Sequence, residues 1–305
     1  MNVHFCGMRN YPAKLLLFGE HVLLLGASAL AVPVPAFSGK WAWHKDQSVD
    51  PAHREIVLRF IESKALKSIA GLDIKRLKQD IEAGLIFHSN IPTGYGLGSS
   101  GALCAGIYDR YVAEKTADTA ALKLIFGQME SFFHGASSGI DPLTSYLDAP
   151  LLIRHKTEVS IAAMQPWQEP PIVFLIDTQT PRQTGPLVEW FLDQSKQNAF
   201  SELLTAELLP AHEAMLSAWM AADAANFWIN LRRVSQFQLA HFHPMIPENM
   251  RSLWEQSFDN QDFNLKICGA GGGGFMLGFA RNREVLKEIS ATFPVILPFE
   301  NNKYV

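Results

Sequence analysis

A basic excess is the first thing this sequence lacks. Its 26 Lys and Arg stand against 30 Asp and Glu, for a formal charge of −4 and a pI near 6.2. That balance argues against the positive footprint of a nucleic-acid binder, so any phosphate recognition must rest on backbone amides and a metal ion. No segment approaches the roughly 18 uninterrupted apolar residues of a membrane-spanning helix, and the N-terminus lacks a charged-then-apolar leader pattern. Cysteine is scarce as well: Cys6, Cys104 and Cys268 are the only three and have no metal-ligand spacing. Such usage suggests a reducing compartment, and a cytoplasmic protein without nucleic-acid or membrane partners is expected.

Apolar residues are plentiful, at 48% against 18% charged, which gives a soluble globular chain an ample core. Its 305 residues exceed the usual size of one core, so two domains are expected. The best linker candidate is PWQEPP at 166–171, dividing 1–168 from 169–305.

Hydrophobic patterning reads as strands at 14–18, 29–34, 37–44 and 85–91, with helices at 51–67, 73–83 and 118–133. Residues 142–153 then carry the chain back to the surface. Beyond the linker come a strand at 172–177, helical stretches over 186–239, and strands at 264–268 and 275–280. A helix near 282–291 and a strand near 294–298 finish the chain.

The most informative stretch is IPTGYGLGSS at 91–100, where Pro92, Gly94, Gly96 and Gly98 lead into an apolar run with helical spacing. Exposed N–H groups at a helix start, together with the positive end of its dipole, can hold phosphate without a cationic side chain. No lysine follows Gly98, so this is not a Walker A loop. A plain glycine turn between strand and helix is the other reading. A second run, GAGGGG at 269–274, reads as a turn between two strands. Four consecutive glycines are expensive to order, however, and close approach of backbone to a ligand explains them more economically.

Three segments, PAKLLLFGEH (12–21), IPTGYGLGSSGA (91–102) and KICGAGGGGF (266–275), resemble in order the three signature motifs of the GHMP kinases. Within that superfamily the chain is most similar to the mevalonate kinase family. GEHVLLLGASALA (19–31) resembles one of its segments. Glu130, His134-Gly135 and Ser138-Gly139-Ile140-Asp141 resemble its E-x3-HG-x2-SG-x-D pattern, and DTQTPRQTGPLV (177–188) a third. Val22-Leu23-Leu24 stand where a galactokinase would place polar sugar contacts, which suits a less polar acceptor.

The resemblance implies an α+β fold of two domains: an N-terminal ribosomal protein S5 domain 2-like domain and a C-terminal ferredoxin-like domain with extra helices, the active site lying between them. It implies ATP- and Mg²⁺-dependent phosphorylation of a small-molecule primary alcohol, mevalonate first. Phosphomevalonate, a sugar or a sugar phosphate is the alternative acceptor, and a catalytically silent ATP-binding sensor a further reading. A homodimer is left open.

Gly94, Gly96, Leu97, Gly98, Ser99, Ser100 and Gly101 would cradle the ATP phosphates. Ser100 and Glu130 resemble the family's Mg²⁺ ligand pair, an oxygen set that suits a hard cation, although Ser100 could equally be a helix N-cap and Ser99 take its role. Asp141, eleven residues after Glu130, matches the proposed catalytic base; before Pro142 it could also be a turn residue. Lys14, inside an apolar run, should meet an acidic group or phosphate. Glu20, His21, Thr184, Gly271 and Gly272 resemble substrate-contacting positions. Arg182 could contact substrate or form an exposed ion pair. Cys268 and Pro142 depart from the family pattern, which has Thr and Asn or Ala there.

Overall fold

The computed structural model describes residues 3–4, 9–44, 51–181, 184–259 and 261–299. Cys6, Arg182 and the side chain of Thr184 lie outside the described set. The α+β class expected from the sequence is the one observed. Two compact units form, one from Met1–Leu15, Pro33–Thr93 and Leu97–Ala149, the other from Leu16–Val32, Gly94–Gly96 and Pro150–Val305.

In the first unit, β1 (Val3–His4), residues 11–15 of β2 (Tyr11–Phe18), residues 33–44 of β3 (Ala29–His44) and β4 (Leu85–Ser89) belong to one sheet. β4 runs antiparallel to β3 from Gly39↔Ser89 to Trp43↔Leu85. The expected break between 34 and 37 is absent: β3 is a single strand of 16 residues through Pro33 and Pro35. Helices α1 (Pro51–Glu62) and α2 (Lys64–Lys67) are separated at Ser63, whose hydroxyl caps α2 by accepting from the Leu66 amide. Asp73 caps α3 (Ile74–Glu82) in the same way.

Helix α4 (Ser99–Tyr111) is the centre of this unit, with every residue from 101 to 108 buried. A Cβ at Gly106 would lie 2.7 Å from Phe87 Cε2, so the missing side chain lets α4 press on the sheet, and Trp41 Nε1 donates to the Gly106 carbonyl at 3.0 Å. α5 (Thr119–His134) is capped by Asp118 and stops at Gly135, as its sequence signals predict. Next comes α6 (Ile140–Leu147), a helix where only a return segment was expected. Pro142 is tolerated because it falls in the first turn, where amides have no intrahelical acceptor.

The second unit holds β5 (Leu151–Arg154), paired to Ala29–Ala31 of β3 and to β6 (Glu158–Ile161). Residues 162–171, PWQEPP included, carry no helix or strand. After β7 (Ile172–Asp177) come α7 (Thr184–Ser195), α8 (Asn198–Leu203), α9 (Leu209–Met220), α10 (Ala224–His241) and α11 (Glu248–Asp259). A five-residue π turn at Leu204–Leu208 joins α8 to α9 just before Pro210, whose missing amide disturbs the α ladder there. Strands β8 (Phe263–Ile267) and β9 (Phe275–Ala280), helix α12 (Glu284–Ser290) and β10 (Val295–Ile296) complete an antiparallel sheet of order β10-β7-β9-β8.

β8 and β9 are buried throughout. Their core is aromatic: Trp219 meets Phe227 at 5.0 Å between centroids, and Phe18 stacks on Phe279 at 5.8 Å. Each such ring contributes about 1.5–3 kcal/mol by leaving water. Among the described residues no helix is long and apolar enough to cross a membrane.

Candidate active site

The glycine loop is shaped by backbone that L side chains resist. Gly94, Gly96 and Gly98 have φ of 83°, 75° and 73°, in the left-handed region. Between them Leu97 is 1% exposed and fixes the loop to the core, and its carbonyl accepts from the Lys14 amide at 2.9 Å. Gly98 is the N-cap of α4 and offers no side-chain cap, while α6 likewise starts from Gly139 without one. At α6 the Ser138 hydroxyl accepts from the Ile140 amide at 3.4 Å, whereas α4 presents N-terminal amides without a capping side chain, the arrangement that suits an anion.

Ser99 and Ser100 are the first two residues of α4, so neither is its N-cap. Ser100 Oγ donates instead to Glu130 Oε1 at 3.0 Å, and lies 3.0 Å from His134 Nε2. Glu130 is buried in α5, and its other oxygen accepts from the Ser137 hydroxyl. Burial pushes the Glu130 carboxyl up to about 7, and the charge of Asp141 adds to the rise; Ser137, Ser100 and Lys14 oppose it.

Lys14 projects from β2 with little exposure and places Nζ 2.6 Å from Asp141 Oδ1, so the charge expected to need a partner has one. Asp141 stands in the first turn of α6. A Cβ on Gly98 would lie 3.2 Å from Asp141 Oδ2, and one on Gly101 would lie 2.8 Å from the Pro142 nitrogen. The bare start of α4 thus admits the carboxylate. Lys14, Leu97, Gly98, Ser99, Ser100, Gly101, Glu130 and Asp141 all lie in the first unit.

The remaining candidates belong to the second unit: Gly94, Gly96, Glu20, His21, Gly271, Gly272 and the backbone of Thr184 at the start of α7. Glu20 is buried and pairs with Lys266 at 2.6 Å. His21 is buried against Phe191 and Phe242, with ring centroids 5.2 and 5.7 Å away. Protein neighbours crowd the second glycine run closely enough to require glycine by themselves. A Cβ at Gly271 would lie 2.6 Å from the Met245 carbonyl, at Gly272 2.4 Å from Leu187 Cδ1, and at Gly273 2.5 Å from the Thr180 carbonyl. Buried Cys268 immediately precedes that run.

Comparison with known proteins bears on this geometry. Residues 56–148, which hold the glycine loop, α4 and Asp141, match the GHMP kinases N terminal domain. That stretch of the chain is similar to the GHMP kinase superfamily. A mevalonate kinase of Archaeoglobus fulgidus is 24% identical over 90% of this chain and 92% of its own length. The crystal structure of L. major mevalonate kinase in complex with R-mevalonate superposes with a TM-score of 0.67 at 18% identity, covering 95% of this chain and 93% of that one. A Streptococcus pneumoniae phosphomevalonate kinase gives 0.66 at 15% identity, over 96% and 98%. The two-domain GHMP kinase fold is therefore the fold of this chain.

The carboxylate of Glu130 and the hydroxyl of Ser100 fit a hard divalent cation. They are 3.0 Å apart, and the buried Glu130 carboxyl takes up a proton more readily than usual, as a site short of positive charge would. Mg²⁺ sites typically take one or two carboxylates and leave other positions to phosphate and water. Sequence reasoning gave no role to His134 or Ser137, which hold Ser100 and Glu130 in place. Both lie inside the E-x3-HG-x2-SG-x-D segment, His134 as one of its quoted positions and Ser137 between two of them. Tyr95 was missed as well: its hydroxyl reaches both Asp177 oxygens, at 3.3 and 3.4 Å.

Proposed function

We propose that this chain is an ATP- and Mg²⁺-dependent kinase that phosphorylates the primary alcohol of mevalonate to 5-phosphomevalonate. The observation that carries the reading is the 2.6 Å contact between Lys14 and Asp141 beside the uncapped start of α4. Amides of α4 and the glycine loop hold the ATP phosphates. Asp141 orients the acceptor hydroxyl and takes its proton late, as the new O–P bond forms and the bond from the γ-phosphorus to the leaving ADP oxygen breaks. A loose transition state asks little more of a base. The Lys14 ammonium, 2.6 Å from Asp141, holds that carboxylate in place and offers positive charge to the alcohol oxygen as the reaction proceeds. Ser100 and Glu130 would hold Mg²⁺, which when bound neutralises charge on the phosphate oxygens.

Mevalonate is favoured over phosphorylated acceptors by cation supply. A second phosphate would need a further free cation, and Lys266 is 1% exposed and pairs with Glu20. The likeness to mevalonate kinases supports the same acceptor. A coupled ADP-release assay over mevalonate, phosphomevalonate, galactose and homoserine, with saturating MgATP, tests the reading. Turnover with mevalonate should exceed that with the others by at least about tenfold. No turnover with mevalonate overturns the acceptor, and MgATP binding without turnover on any of the four overturns the kinase in favour of a silent sensor.

A further inference from the structure

Lys266 sits in β8, a strand buried on every residue, with its side chain 1% exposed. An ammonium carries three donors, and the protein supplies an acceptor for each. Glu20 Oε2 is 2.6 Å from Nζ, the Leu17 carbonyl 3.2 Å and the Ile267 carbonyl 3.1 Å. Two of these acceptors flank one turn: Leu17 is near the end of β2, and Glu20 follows Gly19.

That turn is costly backbone. Gly19 has φ of 108°, and a Cβ there would lie 2.3 Å from Ala29 Cβ. His21 has φ of 65° and ψ of −50°, left-handed for a residue with a side chain, and precedes a 3-10 turn at Val22–Leu25. Conformations of this kind persist only where the surroundings over-determine them. An apolar pair of similar volume would stabilise a buried site as well or better; an ion pair adds direction.

We infer that Lys266 and Glu20 are positioning residues: the buried pair clamps the chain at Leu17 and Glu20 so that the turn delivers the His21 ring to its place against Phe191 and Phe242. Glu20 then acts through His21 and does not itself touch the acceptor. The kinetic consequence rests on the kinase reading above, with His21 facing the acceptor; the structural consequence does not.

Two variants test this, Lys266→Met and the double Glu20→Leu/Lys266→Met, each read below its own melting temperature. Lys266→Met leaves a buried carboxylate without its cation and should melt well below wild type, whereas the double variant should recover most of that loss. In both, the His21 ring resonance of ¹³C/¹⁵N-histidine-labelled protein, assigned with His21→Gln, should move away from its wild-type ring-current-shifted position. In both, the KM for mevalonate should rise about tenfold while the KM for ATP stays within about twofold. A double variant with recovered stability, a wild-type His21 resonance and wild-type kinetics would reduce the pair to a stability element and overturn the inference. If the double variant does not fold, an unmoved His21 resonance in Lys266→Met overturns it alone. Should wild type turn over no mevalonate while the resonance moves as described, the kinase reading falls and the clamp stands.

Discussion

Lys14 and Asp141 place each other. A lysine in an apolar strand announces a partner, and the partner is the carboxylate 2.6 Å away, itself in the first turn of a helix whose dipole favours negative charge. Asp141→Asn keeps the shape and removes both the charge and the proton acceptor. The fold should survive, with kcat reduced about 10²- to 10⁴-fold. Lys14→Met should reduce kcat on a similar scale, because Asp141 then loses the contact that holds it in place. Steady-state kinetics beside circular dichroism checks both; an Asn variant retaining a tenth of wild-type kcat would remove Asp141 from the chemistry. This pair was legible in the sequence, as was the meeting of Ser100 with Glu130. Lys266 and Glu20 were not: each stands in a different signature motif, and no local pattern reveals which distant charges a fold will bury together.

Helix α4 can meet α6 only because Gly98 and Gly101 at its start carry no side chains. A methyl on Gly101 would fall 2.8 Å from the Pro142 nitrogen and 2.9 Å from the Asp141 carbonyl carbon, backbone atoms that cannot swing aside. Gly101→Ala must therefore push α6 and Asp141 away. The expected cost is about 1–3 kcal/mol of stability, with a fall of about 10² in kcat from the displaced carboxylate. Gly94→Ala is the contrasting control: nothing lies within 4 Å of its would-be Cβ, so only backbone strain at φ 83° is added. Equal kinetic losses in the two variants would contradict this packing argument. The sequence showed where α4 begins and where α5 begins and ends, since Gly98, Asp118 and Gly135 are strong local signals. It concealed α6, because Gly139 and Pro142 around Asp141 look like a turn until a helix start accommodates them. It also split β3, because Pro33 and Pro35 resemble breaks. Both fall between the register with β5 at Ala29 to Ala31 and that with β4 at Gly39 to Trp43, where neither ladder needs their amides.

For the molecule as a whole, the site is a source of instability that depends on pH. Glu130 has its folded pKa raised from 4.5 to about 7, mostly by burial and then by Asp141. Below 4.5 the group is protonated in folded and unfolded chains alike, and it imposes no penalty. As pH rises through 7 the folded protein must ionise a buried carboxyl that the unfolded chain ionises freely, so stability falls. The loss is on the order of 1–3 kcal/mol at alkaline pH. Glu130→Gln removes this slope without changing the volume. Metal-free Glu130→Gln should thus match wild type near pH 4.5, melt a few degrees above it at pH 8, and be inactive at both. Adding Mg²⁺ with ATP at pH 8 should stabilise wild type and leave the variant much less changed, because only the wild type has the carboxylate that the cation would neutralise. A melting difference that stays flat between pH 4.5 and 8 in metal-free buffer would show that Glu130 carries no buried charge. In that case Ser100 and Glu130 would lose their claim to the cation, since the same unmet negative charge is what makes the pair a fit for one.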